Sequence, residues 1–351
     1  MKLNLSRAQQ EYWLVFAFSA AIVFGNAYLI LVNHDASFSS DEASYLALGN
    51  GNWNVNITHR YRVIIPFLAR GLAEILGLLS GKPDALPLGF SFFIVNSTIM
   101  ALAGTVIYYL AKVVGANVAG RFMAVLAVLS SGYCSYLSGI ALVDSLYFLM
   151  LVLLFYSLVA KSEDALFCCL IIGSLAKESF WLFVPFILLF GRFITLHRLI
   201  FYIILAGCVF IATNNLIDSL SGLPVTARAA NAVEHIHNAW RTVRKFFSLS
   251  GLMSWFSAFG IFNFVVLAGW LTRNIRLKMS QRLTQMQLLF LLIIAAHVLL
   301  SGDIGRMWYL AAPVFAIAVA LTTHRLLAPV FHQPQSSLKA ADQLTKQQSS
   351  L

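Results

Sequence analysis

Long apolar runs, each near the length that crosses a lipid bilayer, are the feature of this sequence that most restricts its fold. A transmembrane helix needs about 20 consecutive, predominantly apolar residues. The chain is 60% hydrophobic and 11% charged, whereas an average soluble domain carries roughly 25% charged residues. The sequence therefore predicts an all-α, polytopic membrane protein. Clear runs lie at 12–32, 88–111, 121–137, 144–160, 198–216, 252–271, 284–301 and 306–323.

Two further apolar segments do not fit this simple pattern. In 63–79, Arg70 and Glu74 lie one helical turn apart, which predicts a charged face and a helix at the membrane interface. In 165–191, the run is interrupted by Lys177 and Glu178. This second segment is either one span with a buried ion pair or a hairpin of two short helices whose tip carries the charges.

The distribution of basic residues favours the hairpin. Cytoplasmic loops of membrane proteins are enriched in Lys and Arg. With 63–79 at the interface and 165–191 a hairpin, the chain has about ten transmembrane segments and both termini are cytoplasmic. Fourteen basic residues then lie inside, namely Lys2, Arg7, Lys112, Arg121, Lys161, Arg192, Arg198, Arg273, Arg276, Lys278, Arg282, Arg325, Lys339 and Lys346. The acidic residues on that side are Glu11, Glu163, Asp164 and Asp342, so 14 minus 4 gives the whole net charge of +10.

This topology gives one transmembrane domain over 1–331, with outer loops at 33–87 and 217–251. The polar segment 332–351 predicts a disordered cytoplasmic tail. The first apolar run is longer than that of a usual signal peptide, so we expect an uncleaved helix in a multi-pass protein of the cell inner (plasma) membrane. The four cysteines lie in apolar runs and predict neither a disulfide framework nor a zinc site. Since no basic segment is interleaved with exposed aromatic residues, the positive charge does not indicate nucleic acid.

The remaining charged residues fall on the outer side, and several lie at the ends of predicted helices. Ionisable groups at membrane depth are costly and are therefore candidates for function. Each of them could instead be a surface ion pair or a side chain that snorkels to the headgroups. The candidate catalytic carboxylates are Asp41 and Glu42. The candidate substrate-binding residues are Arg60, Arg62, Asp144, Lys177, Glu178, His237, Arg241, Asp303 and Arg306.

The outer segment 217–251 contains a second amphipathic pattern. Apolar residues recur at helical spacing from Val233 to Phe247, with charged residues on another face, which predicts a second interfacial helix. His235 and His237 are two residues apart, whereas a zinc pair on a helix needs a spacing of four. We therefore assign no metal ligands.

Five short motifs on the outer side occur in an order that resembles the GT-C superfamily of polyprenol-phosphate-dependent glycosyltransferases. They are Ser40-Asp41-Glu42-Ala43-Ser44-Tyr45, Tyr61-Arg62-Val63-Ile64-Ile65-Pro66, Asp144-Ser145-Leu146, Ala176-Lys177-Glu178-Ser179, and the pair Asp303 and Arg306. The resemblance covers most of the chain. The acidic pair is Asp-Glu in place of the Asp-x-Asp or Glu-x-Asp of some branches, which leaves open whether a divalent metal ion takes part.

The resemblance implies a GT-C-like fold with interfacial helices on the outer side. It also implies the transfer of a sugar from a polyprenol-phosphate donor, held among membrane lipids, to a glycan or glycolipid acceptor on the outer face. Such a reaction needs a carboxylate to accept the acceptor's proton and cations to hold the phosphate. Asp41 or Glu42 would supply the carboxylate, and the basic residues would supply the cations. The alternatives are a surface-glycan polymerase or ligase, a transporter and an assembly factor.

Overall fold

The computed structural model describes residues 6–34, 40–80, 87–222, 239–271 and 280–331. Helices make up most of these ranges, which contain no strand. Within them, four helices are long and apolar enough to cross a membrane, or up to six if each of two bent helix pairs is one span. The predicted all-α class is confirmed, and the apolar helices fit a multi-pass membrane protein.

The described helices vary widely in length. In chain order they are α1 (Arg7–Asn33), α2 (Ser40–Gly49), α3 (Ile57–Arg60), α4 (Ile64–Ser80), α5 (Leu88–Val113), α6 (Val118–Leu129), α7 (Gly132–Gly139), α8 (Asp144–Ala160), α9 (Glu163–Ala176), a 3₁₀ helix (Glu178–Phe183), α10 (Val184–Phe190), α11 (Leu196–Ser221), α12 (239–246), α13 (Leu249–Ser257), α14 (Phe262–Leu271), α15 (Gln281–Ser301), α16 (Ile304–Tyr309) and α17 (Ala312–Phe331).

Capping residues explain where several of these helices begin and end. The side chains of Asn117, Ser162 and Ser280 accept hydrogen bonds from backbone N–H groups at the starts of α6, α9 and α15, as is usual for polar N-cap residues. At the other end, α11 and α15 stop at Gly222 and Gly302, which adopt positive φ angles of 61° and 76°. Glycine reaches this left-handed conformation without the steric penalty that other residues meet.

Three of the predicted continuous runs are broken in the structure. The run 121–137 is divided into α6 and α7, which meet at 60°, and the run 252–271 into α13 and α14, which meet at 86°. The last run, 306–323, is divided between α16 and α17. At the first break the Ser131 hydroxyl accepts a hydrogen bond from the N–H of Tyr133 and thereby starts a new helix. Mean hydropathy over a window does not register such a cap.

The segment 165–191 forms a hairpin that reverses direction at Lys177. Near the start of α9, Glu163 accepts a hydrogen bond of 2.6 Å from Tyr202 in the first turns of α11. At the end of α10, Gly191 lies beside Leu199, also in the first turn of α11. Because both ends of the segment approach the same end of α11, the chain leaves through α9 and returns through the 3₁₀ helix and α10.

The bundle has two polar ends, which we name after one residue in each. At the Lys112 end, Lys112 and Arg121 contact Glu11 at 2.6 and 3.8 Å, and Arg282 donates a hydrogen bond to the carbonyl of Phe190. At the opposite, Asp144 end lie the starts of α5 and α8 and the ends of α1, α9, α11 and α15. Buried apolar residues fill the space between the two ends, with α5 in the middle.

Helix α4 lies against α2 and α5 at the Asp144 end. Its exposed side carries Phe67, Leu68, Ile75 and Leu78, while Ile65 and Ala69 are buried. The exposed ion pair of Arg70 and Glu74 lies on the same helix, so α4 carries a charged face as predicted, and its place at a membrane interface stays a prediction.

Candidate functional site

A cluster of charged side chains lies at the Asp144 end, assembled from segments that are far apart in the sequence. We call it the charged cluster. It combines α2, the residues around α3, the start of α8, the tip of the hairpin, and the turn that leads into α16. Its members are Asp41, His59, Arg62, Asp144, Lys177, Glu178, Asp303 and Arg306.

Arg306 is at the centre of the cluster. Its Nη1 lies 3.2 Å from Oδ2 of Asp41 and 3.4 Å from Oδ2 of Asp144. Its Nε lies 3.1 Å from Oδ2 of Asp303. Asp303 also caps α16, since its side chain accepts a hydrogen bond from the backbone N–H of Arg306. One guanidinium therefore contacts three carboxylates, with two of them sharing the same nitrogen.

Lys177 provides a second cation beside the same buried carboxylate. Its Nζ lies 2.9 Å from Oδ1 of Asp144. Asp144 is thus held by Lys177 on one oxygen and by Arg306 on the other. Burying a carboxylate is costly unless it is paired and hydrogen-bonded, and these two cations meet that requirement. The geometry fixes the hairpin tip against the start of α8.

A buried asparagine shapes the turn that leads into Asp144. The side-chain amide of Asn96 donates hydrogen bonds to the carbonyls of Ile140 and Leu142, at 3.1 and 2.9 Å. Its carbonyl oxygen accepts a hydrogen bond from the hydroxyl of Ser145. Unpaired backbone groups at this depth would be strongly unfavourable. Asn96 therefore acts on the cluster through the backbone that positions Asp144.

Arg62 and Glu178 form a second, adjacent ion pair. Nε of Arg62 donates to Oε2 of Glu178 at 3.2 Å, and Nη2 donates to the other carboxylate oxygen. The remaining nitrogen, Nη1, donates to the hydroxyl of Tyr45 at 3.1 Å. This two-pronged contact uses the fork geometry that distinguishes arginine from lysine.

The two adjacent acidic residues of α2 have different surroundings. Glu42 accepts a hydrogen bond from the backbone N–H of Ala141 at 3.1 Å and lies 2.6 Å from Nε2 of His34. Its side chain is 5% exposed, whereas that of Asp41 is 26% exposed. Glu42 thus joins α2 to the turn before α8, and Asp41 is the one that faces the accessible side of the cluster.

His59 is the nearest neighbour of Asp41 on the other side. Its Nε2 lies 3.4 Å from Oδ1 of Asp41. Burial lowers the pKa of His59, and the nearby Asp41 offsets only part of that effect. The lowered pKa favours the neutral imidazole near pH 7, so among the described residues Arg306 is the cation that contacts Asp41.

The other candidate residues are placed differently. Arg60 is buried and lies 4.0 Å from Asp218, but no described contact joins it to the charged cluster. Arg241 is exposed on α12, and none of its described contacts reaches the cluster. His237 lies outside the described residues.

The candidate site residues predicted from the sequence did not include four aromatic members of this region, namely His34, Tyr45, His59 and Tyr147. Tyr147 is buried beneath Lys177 and contacts Nε2 of His297 at 2.9 Å. A signal for His297 was available, because it is a single titratable residue inside the apolar run 284–301. His59 stood next to the predicted arginines, but its contact with Asp41 depends on the fold.

An apolar groove is lined in part by α16, the short helix that also carries Arg306. It has a volume of about 520 Å³ and lies between α13, α14, α15, α16 and α17. Trp255 and Trp308 line one part of it, and Trp270 and Ala318 line another. Trp308 follows Arg306 by two residues on α16. Within α17 the lining runs from Val314 to Ala318, about 6 Å of helix.

The arrangement brings an accessible carboxylate and three fixed cations into one region. In the part of the chain that the structure describes, no group of three or more His, Cys, Asp or Glu side chains is arranged to hold a metal ion. The three aspartates converge on a guanidinium instead. Chemically, such a site can bind an anion with its cations and accept a proton on its carboxylate.

The chain was compared with protein-family models, with curated proteins and with solved structures, and none of them matches it.

Proposed function

We propose that this protein is a membrane glycosyltransferase that moves a sugar from a polyprenol-phosphate donor to a lipid-linked or cell-surface glycan acceptor. The observation that carries the proposal is the position of Arg306, which touches the accessible carboxylate of Asp41 and lies on α16, the short helix that also contributes Trp308 to the apolar groove. A donor of this class has the two matching parts, an anionic phosphate and an apolar chain.

The chemistry assigns a role to each part of the cluster. Asp41 accepts the proton of the acceptor hydroxyl, whose oxygen forms a bond to the anomeric carbon of the sugar. The bond between that carbon and the phosphate oxygen breaks, and its electron pair remains on the phosphate. Arg306, Lys177 and Arg62 stabilise the charge that collects there, because their positions are already fixed before the reaction.

The apolar groove accounts for the tail of the donor. Its walls are almost entirely apolar, with three tryptophans, and tryptophan is favoured where an apolar pocket meets the polar interface of a membrane. The polyprenyl chain enters from the bilayer and extends along α17, while its phosphate stays beside Arg306. A sugar nucleotide lacks such a chain and would leave the groove without a function.

We further propose ten transmembrane segments, with the charged cluster on the outer side of the plasma membrane and both termini in the cytoplasm. Two features support this topology. The described segments alternate between the Asp144 end and the Lys112 end, with the 163–190 hairpin contributing two passages. The Lys112 end carries basic residues of the loops expected in the cytoplasm, including Lys112, Arg121 and Arg282, as the positive-inside rule requires.

The topology predicts the side of each reporter fused to the chain. We expect reporters placed after Arg282 and after Leu351 to lie in the cytoplasm, and one placed near Ser221 to lie outside. Activity of paired reporters that work only on one side of the membrane is the measurement. A site near Arg276 that is cleaved by protease from the outer face would contradict the ten-segment arrangement and the outer position of the cluster.

The function itself is tested by the glycans and lipids of cells with and without the gene. We expect one sugar substituent to be missing from a surface glycan or glycolipid in the deletion strain, while the polyprenol-phosphate-linked sugar accumulates. Complementation with Glu74→Gln, which removes an exposed carboxylate paired with Arg70 outside the cluster, should restore the profile. Shortened glycan chains would support a polymerase instead, and an unchanged profile would contradict an enzyme of either kind.

A further inference from the structure

In the described structure the charged cluster is already internally paired. It contains four carboxylates, Asp41, Asp144, Glu178 and Asp303, and three cations, Arg62, Lys177 and Arg306. Each cation lies within 3.4 Å of a carboxylate oxygen. A phosphate that binds Arg306 through both terminal nitrogens, the two-pronged contact that suits a guanidinium, therefore takes Nη1 away from a carboxylate. The question is which carboxylate gives way.

The carboxylates differ in how firmly they are held. Asp144 is buried and is contacted by both Lys177 and Arg306. Asp303 is more exposed than Asp41, at 41% against 26%, but its other oxygen caps α16 by accepting from the backbone N–H of Arg306, which keeps its side chain beside that arginine. Asp41 is partly exposed, and its only cationic partner in the described cluster is Nη1 of Arg306, since His59 is neutral. Of the three carboxylates around Arg306, Asp41 is thus the one whose contact is exchanged at least cost.

We propose that the contact between Arg306 and Asp41 is a latch, which the phosphate of the donor opens when it binds. This inference rests on the proposed function. The incoming phosphate takes Nη1 of Arg306, and Oδ2 of Asp41 is released to accept a hydrogen bond from the acceptor hydroxyl. In the absence of donor, the same oxygen is covered by the guanidinium. The donor therefore binds first, and the base becomes available to an acceptor only when a sugar is in place.

The latch has a consequence that a plain catalytic carboxylate would not have. Asp41 competes with the phosphate for Arg306, so its removal should strengthen phosphate binding even though it abolishes efficient turnover. When the protein conformation that binds a ligand is populated only part of the time, the apparent affinity for that ligand is reduced by the populated fraction. If the latch is open about one-tenth of the time, the gain is about tenfold.

The test uses the purified full-length chain in detergent and farnesyl phosphate as the probe, with farnesol as the probe that lacks the anion. We expect Asp41→Asn to bind farnesyl phosphate about tenfold more tightly than the unmodified protein, with farnesol binding unchanged. Asp41→Ala should show the same gain, and it excludes an effect of the hydrogen bond that the introduced asparagine's side-chain oxygen could accept from Arg306. Melting curves of both variants establish that they are folded.

Glu74→Gln is the matched control, because it removes a carboxylate charge from the same end of the bundle, on α4, without touching Arg306. Its affinity for farnesyl phosphate should equal that of the unmodified protein. Equal gains from Glu74→Gln and Asp41→Asn would mean that general electrostatics, not the contact, weakens binding, and would overturn the latch. So would the absence of a gain in both Asp41 variants.

The outcomes also separate this inference from the function on which it rests. If the unmodified protein prefers farnesyl phosphate to farnesol but the Asp41 variants gain nothing, only the latch is wrong. If the unmodified protein and both Asp41 variants bind the two probes equally, then the site does not recognise a prenyl phosphate. In that case the proposed function and the latch are both wrong.

Discussion

Asp41→Asn should lower the rate of sugar transfer by about 10²-fold or more, the lower end of what a general base contributes. Asparagine keeps the shape of the side chain and its place on α2, but it cannot accept the acceptor's proton. The hydrogen bonds that fix α2 belong to Glu42 and are unaffected. We therefore expect a folded protein that binds donor and transfers sugar very slowly. The measurement is initial rate at saturating donor and acceptor.

Glu74→Gln is the matched control for this variant. Glu74 is also a carboxylate on the Asp144 side, but it is 61% exposed and pairs with Arg70 one turn away on α4. Its removal should leave the rate within about twofold, as is usual for a weak surface pair. A folded Asp41→Asn protein that transfers sugar at a near-normal rate would eliminate Asp41 as the base.

Arg306→Lys should raise the donor concentration needed for half-maximal rate by about tenfold or more, which corresponds to about 1.4 kcal/mol. In the structure, two nitrogens of Arg306 reach three aspartates at 3.1 to 3.4 Å. A lysine has the charge but a single nitrogen, so it cannot hold Asp144, Asp303 and a phosphate together. Arg62→Lys should have a smaller effect, because Arg62 pairs with Glu178 at the edge of the cluster.

Arg70→Lys provides the comparison, since it makes the same substitution in an arginine that pairs with Glu74 outside the cluster. Its donor dependence and melting temperature should match those of the unmodified protein. The measurement is transfer rate against donor concentration for the purified variants. Unaltered donor dependence in both Arg306→Lys and Arg62→Lys would leave these residues as interface anchors, not phosphate ligands.

The sequence predicted the parts of the fold that depend on local pattern. Apolar length located the long helices, and the spacing of Arg70 and Glu74 predicted the amphipathic α4. The number of basic residues placed on the cytoplasmic side favoured a reversal at Lys177. The contacts of α11 with both ends of the hairpin show that reversal. The bends at 130–131 and 258–261 were not predicted, because a hydropathy average does not respond to a single serine cap or to Gly260, which has a φ of +52°.

The candidate site could be predicted by residue type but not by partner. Asp303 and Arg306 are three residues apart, so their pairing follows from helical geometry. The contact of Arg306 with Asp41 joins residues 265 positions apart, and nothing local indicates it. For the same reason the sequence could not distinguish Asp41 from Glu42. That difference arises from His34 and Ala141, which enclose only Glu42.

The short hairpin also places a requirement on the surrounding lipid. Helix α9 has 14 residues and is about 21 Å long, whereas the hydrocarbon core of a bilayer is about 30 Å thick. In the proposed arrangement this hydrophobic mismatch leaves Lys177 roughly 9 Å below the outer edge of the core, so the bilayer thins around the hairpin or water fills the difference. Thinning lowers the neighbouring headgroups toward the depth of Asp144 and Lys177. The acyl-chain length of the host membrane therefore helps to determine how easily a lipid phosphate reaches its binding site, and thick membranes oppose the reaction.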